Sequence, residues 1–113
     1  MAKDIVVFLK HIIESAELIE NYISNLQPID FFASTQIQDS VIRRLEIIGE
    51  AVKNIPDDFK KEYPDLPWRK IAGLRDILIH QYFGVDMELT WEIAKNNIPD
   101  LKNEIIQVLN KMK

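Results

Sequence analysis

Ser34-Thr35-Gln36-Ile37-Gln38-Asp39-Ser40-Val41-Ile42-Arg43-Arg44-Leu45-Glu46-Ile47-Ile48-Gly49-Glu50-Ala51-Val52-Lys53-Asn54 places apolar residues at Ile37, Val41, Leu45, Ile48 and Val52. Spacings of three and four put these side chains on one helix face, with Ile42 and Ala51 widening the stripe. Ser34 or Thr35 supplies an N-cap, and Asn54 before Ile55-Pro56 supplies the stop. Upstream, Ile5, Phe8, Ile12, Ile13, Ala16, Ile19 and Ile23 predict a helix from about Asp4 to Ser24, followed by a linker from Asn25 to Ser34. Downstream, Pro56, Pro64 and Pro67 leave room for at most a short helix between turns. Pro67 suits the first turn of a further helix, whose core face is Ile71, Leu74, Ile77 and Leu78. That helix is expected to run to about His80 or Tyr82, with Gly84 as its exit. Asp86 caps a last helical region, interrupted by Pro99, that is either kinked or divided into helices of about 86–97 and 99–111. The fold expected is an all-α antiparallel bundle of four to five helices forming one domain over residues 1–113.

Composition narrows the function classes. Of 113 residues, 47% are hydrophobic and none is Cys, which removes disulfide frameworks, thiolate nucleophiles and Cys-ligated zinc. The apolar run Ile5 to Leu9 is too short for a signal peptide or a membrane span, so a cytoplasmic protein with no membrane partner is expected. Fourteen Lys+Arg against eighteen Asp+Glu give a formal net charge of -4. General polyanion affinity, and DNA as a partner, are therefore not expected, and any phosphate site must be local. Arg43-Arg44 and Arg69-Lys70 with Arg75 are the local candidates. No Walker loop, GxSxG or GxGxxG occurs, and the three glycines lie too far apart to cradle a phosphate. With two histidines and no HExxH-type spacing, neither a metal site nor a cofactor is expected. His11, between Lys10 and Ile12, reads as a partly exposed structural residue, and Trp68 and Trp91 read as core or interface anchors.

Chemistry concentrates in Arg75-Asp76-Ile77-Leu78-Ile79-His80-Gln81-Tyr82. On a continuous helix Asp76 and His80 share one stripe at i and i+4, so the carboxylate orients the imidazole, while Arg75 and Tyr82 share a second. His80 then lies about 140° around the axis from Arg75. Their convergence on one phosphate needs a long Arg, a loosened helix end or a second copy across a dimer axis. An Arg with a His suits metal-free RNA cleavage: the imidazole moves a proton at the 2'-hydroxyl or the 5'-leaving oxygen, and the guanidinium stabilises charge on phosphate. On spacing alone a plainer reading stands beside it, a helix-end His interacting with the last carbonyls and an ordinary solvated Arg-Asp pair.

Arg75-Asp76-Ile77-Leu78-Ile79-His80-Gln81-Tyr82 resembles the Arg-x4-His-x-Tyr motif of the HepT-like family of HEPN-domain proteins. Gln38 to Ala51 is similar to that family's second-helix segment, and Tyr63-Pro64-Asp65-Leu66-Pro67-Trp68-Arg69-Lys70-Ile71-Ala72-Gly73 to its entry into the motif helix. Arg44 departs from the Asn more usual at its position. The resemblance implies a HEPN-like bundle and a metal-independent endoribonuclease toxin of a type VII-like toxin–antitoxin pair. Such a protein is a homodimer that cuts RNA in a cleft between protomers. Carried over, Arg75 and His80 are the catalytic pair, Asp76 their support, and Arg43 and Arg69 RNA-binding candidates. The partner implied is a minimal nucleotidyltransferase antitoxin that transfers AMP from ATP to Tyr82. A contrasting expectation is a non-catalytic HEPN subunit that binds nucleotide or holds the nucleotidyltransferase; a ligand-free helical dimerisation protein is a third.

Overall fold

Three long amphipathic helices dominate the computed structural model, which describes residues 2–80 and 84–112. Helix α1 (Ala2–Tyr22) packs against both α3 (Thr35–Lys53) and α8 (Ile98–Lys111). Their shared core is drawn largely from the stripes that the periodicity picks out, although Ile5, Phe8, Ile13 and Ile37 of those stripes are only half-buried and Leu9, outside them, is fully buried. Ile12, Ala16 and Ile19 of α1 are buried with Val41, Leu45, Ile48 and Val52 of α3 and Leu101, Ile105 and Val108 of α8. Lys102 and Glu20, 2.6 Å apart, add an ion pair between α8 and α1. Helix α1 gives way just before Asn25, whose φ of 64° is a left-handed conformation that Asn tolerates better than most residues. Helix α3 starts where its cap predicts, with the Ser34 hydroxyl accepting a hydrogen bond from the Ile37 N–H at 3.2 Å.

The expected linker contains a helix of its own, α2 (Pro28–Phe32). Phe31 is fully buried there, its ring 5.3 Å from that of Trp91, and the Gln38 side-chain amide donates to the Phe31 and Phe32 carbonyls at 3.0 Å each. Helix α4 (Asp57–Glu62) is the short helix expected between the prolines. Trp68 is buried, and its indole N–H donates to the Tyr63 carbonyl at 2.9 Å, as an anchor should. Pro99 divides the last region: α7 (Met87–Glu92) is capped by Asp86, a π-helical segment (Ile93–Asn97) follows, and α8 begins with Pro99 in its first turn. The π segment sits where the proline cannot donate to the preceding turn.

The motif region departs from the expected single helix. Two short helices, α5 (Trp68–Ala72) and α6 (Leu74–Leu78), meet at Gly73, and the helix stops at Leu78. Ile79–His80 form β1, which pairs antiparallel with β2 (Gly84–Val85), Ile79 opposite Val85 and His80 opposite Gly84. This ladder withdraws the backbone of Ile79 and His80 from helix, and β-branched Ile79 suits the extended conformation. Gly84 is therefore a strand residue, not a helix exit; its φ of 80° is one that residues with a Cβ rarely adopt. Ile77 also differs from expectation, being 42% exposed while Ile71, Leu74 and Leu78 are buried. Among the described residues no helix is long and apolar enough to cross a membrane.

Candidate functional site

Arg75 reaches its place through a close approach between α3 and α5. Gly49 is buried on α3, and a Cβ built there would meet the Ile71 carbonyl oxygen at 3.1 Å and that of Ala72 at 3.5 Å. Only a residue without a side chain lets the two backbones come this near without adjustment. One turn further along each chain, at i−3 on α3 and i+4 past Ile71, stand Glu46 and Arg75. Their side chains form an ion pair, Arg75 Nε to Glu46 Oε2 at 3.7 Å. Arg75 stays 68% exposed, so the pair contributes little to stability, under about 1 kcal/mol.

This pair lies in an open groove of about 520 Å³ between α1, α3 and the α5–α6 segment. Arg43, Glu46, Glu50 and Lys53 line it from α3, His11 from α1, and Arg75 from α6. Three permanent cations thus face two carboxylates in a chain whose formal charge is -4. The groove is a local exception to the acidic whole, the kind of concentration that attracts a phosphate. With Nε turned to Glu46, the two terminal guanidinium nitrogens of Arg75 remain available for the paired hydrogen bonds that phosphate oxygens accept.

The predicted residues divide. Arg75 and Arg43 share the groove; Arg69, exposed on α5, and Asp76, exposed on α6, do not line it, nor does half-buried Arg44. Because α6 ends at Leu78, Asp76 and His80 are not i and i+4 on a helix, and the Arg75–Tyr82 helical stripe does not exist. Tyr82 lies outside the described residues, as does the side chain of His80. Among the described residues no three of His, Asp or Glu gather as metal ligands. Glu46, Glu50 and Lys53 are the charged groove residues that the sequence reading did not single out, and His11, read there as a structural residue, also lines the groove. The signal for Glu46 was its place three residues from Arg43 on one helix face; its partner is remote in sequence.

Comparison with known proteins shows the family. The model of a family described as ribonuclease HepT-like matches residues 12–108. The chain belongs to the HepT-like family. One relative, from Methanocaldococcus jannaschii and named "Gamma-glutamylcyclotransferase and putative RNase MJ0434", is 52% identical over 112 residues, covering 99% of this chain and 50% of its own length. Another, "Probable ribonuclease HepT" of Thermococcus cleftensis, is 50% identical over 97 residues, 86% of this chain and 88% of the relative. The HepT-like chain thus spans half the length of the first relative and most of the second. No solved structure matches it.

Proposed function

We propose that this HepT-like chain is a metal-independent endoribonuclease toxin, with Arg75 and His80 as its catalytic pair. The observation that carries the reading is the position of Arg75: exposed, paired with Glu46 at 3.7 Å, and sharing with Arg43 a groove in which cations outnumber carboxylates. Family membership and the printed ribonuclease names of relatives support it. In the reaction the RNA 2'-oxygen attacks the adjacent phosphorus and the bond to the 5'-oxygen breaks, leaving a 2',3'-cyclic phosphate and a 5'-hydroxyl. The His80 imidazole accepts the proton from the 2'-hydroxyl or delivers one to the leaving oxygen. Arg75 stabilises the charge that builds on the phosphoryl oxygens.

In this reading the toxin is a homodimer, and a minimal nucleotidyltransferase silences it by transferring AMP to Tyr82, which adds bulk and a negative phosphate within the motif of Arg75. Exposed Ile77 supports a protein-covered face on the flank of α6 opposite Arg75: it lines an apolar groove of about 270 Å³ with Ile93 and Leu101, separate from the groove that Arg75 lines. The test is growth of cells on inducing the wild-type chain, Arg75→Ala or His80→Ala, with total RNA run on a gel from each culture. Arrest and RNA fragmentation by the wild type alone support the proposal; intact RNA with wild type overturns it. Intact mass after incubation with the nucleotidyltransferase and ATP tests the second part. A gain of AMP units that Tyr82→Phe abolishes is expected.

A further inference from the structure

A guanidinium that must meet a phosphate in one orientation gains from being held before the substrate arrives. Arg75 has little of its own to hold it. It is two-thirds exposed and sits on a helix of five residues. Glu46, by contrast, belongs to the nineteen-residue α3, and its 34% exposure leaves it half-sheltered against the groove wall. The backbone approach at Gly49 and Ile71 fixes the distance between the two elements one turn away on each. The carboxylate meets Nε, the inner nitrogen, rather than the terminal pair. At 3.7 Å this is an ion pair too long for a hydrogen bond, so the carboxylate biases the guanidinium by charge attraction at its inner edge and leaves the terminal nitrogens as the phosphate-binding edge.

The same carboxylate carries a cost for binding. It stands in the groove among Arg43, Lys53 and Arg75, where it opposes any incoming phosphate. A residue kept in that place favours orientation over ground-state attraction. We propose that Glu46 is a positioning residue for RNA cleavage, acting through Arg75 and touching no reacting atom. This rests on the reading of Arg75 as the catalytic guanidinium.

The two opposed effects give a signature that loss of a structural contact does not. The experiment uses the full chain, a fluorescently labelled mixed-sequence RNA, and wild type beside Glu46→Gln and Glu46→Asp, with a thermal melt of each. For Glu46→Gln, kcat is expected to fall by about three- to fivefold, the most that a pair of this exposure supplies to orientation. KM is expected to stay level or fall, and the melting temperature to stay put. Glu46→Asp, which keeps the charge, is expected to recover part of kcat. A kcat within twofold of wild type for Glu46→Gln, a rise in KM in place of the fall in kcat, or a loss that follows a lowered melting temperature overturns the inference. Failure of the wild type to cut the RNA overturns the ribonuclease reading itself, and that result is read from a sample in which Glu46 is unchanged.

Discussion

At the residue scale the argument turns on what a guanidinium does that an ammonium does not. Arg75 offers a planar fork with one nitrogen already turned to Glu46, whereas a lysine at the same place offers one mobile point charge. Arg75→Lys is therefore expected to keep most of the RNA affinity while losing kcat by about a hundredfold, the order seen when one donor to a developing oxyanion is removed. Steady-state cleavage kinetics beside binding of a non-cleavable 2'-O-methyl RNA separate the two quantities. Equal loss of affinity and kcat would mean that Arg75 only attracts RNA. The sequence singled out Arg75 through the Arg-x4-His-x-Tyr motif and Arg43 as one of several local cations, of which Arg44 and Arg69 do not line the groove. Glu46, Glu50 and Lys53 did not stand out, and His11 was read as structural, since such residues on exposed helix faces are ordinary and only the packing of α1, α3 and α6 brings them to one groove.

At the scale of elements, Gly49 is the small feature with the largest reach. It sits mid-helix, where glycine is intrinsically unfavourable, and the reason is the carbonyl of Ile71 at 3.1 Å from where a Cβ would be. Gly49→Val adds branched bulk against backbone that has no rotamer to change, so α5 must move away from α3. A loss of about 1–3 kcal/mol in stability is expected, the usual cost of overpacking, measured by urea denaturation. Cleavage should fall as well, assayed where the variant remains folded, because the Glu46–Arg75 pair depends on the same approach. Unchanged stability and activity would show that the two helices are free to separate. The boundaries of α3 were legible because its signals are local: the Ser34 cap, the apolar stripe and the stop before Pro56. Helix α2 was not, since five residues hold too little periodicity and its anchor, Phe31 against Trp91, is a contact across the chain. The end of α6 was hidden for a related reason. Helical spacing carries through Ile79 and His80, and only their pairing with Val85 and Gly84 withdraws them from it.

At the scale of the whole molecule the proposed mechanism requires that one short motif bring an arginine and a histidine to one phosphate. The continuous-helix geometry that set them about 140° apart is absent beyond Leu78, yet Arg75 on α6 and His80 on β1 still stand on different elements. A two-fold dimer offers a solution in which each site takes Arg75 from one protomer and His80 from its partner. This arrangement has a consequence that a site complete within one protomer lacks. In a heterodimer of Arg75→Ala with His80→Ala, one composite site carries both substitutions and the other carries none. Random pairing makes about half of the dimers mixed, so co-expressed variants should recover about a quarter of wild-type cleavage although each alone is inactive. Ile77→Asp, which places a charge on the exposed apolar face on the opposite flank of α6 from Arg75, should abolish that recovery and shift the species seen by light scattering from dimer to monomer. Recovery that persists in the Ile77→Asp background would move the interface elsewhere on the surface. No recovery in mixed dimers would place Arg75 and His80 of each site on the same chain.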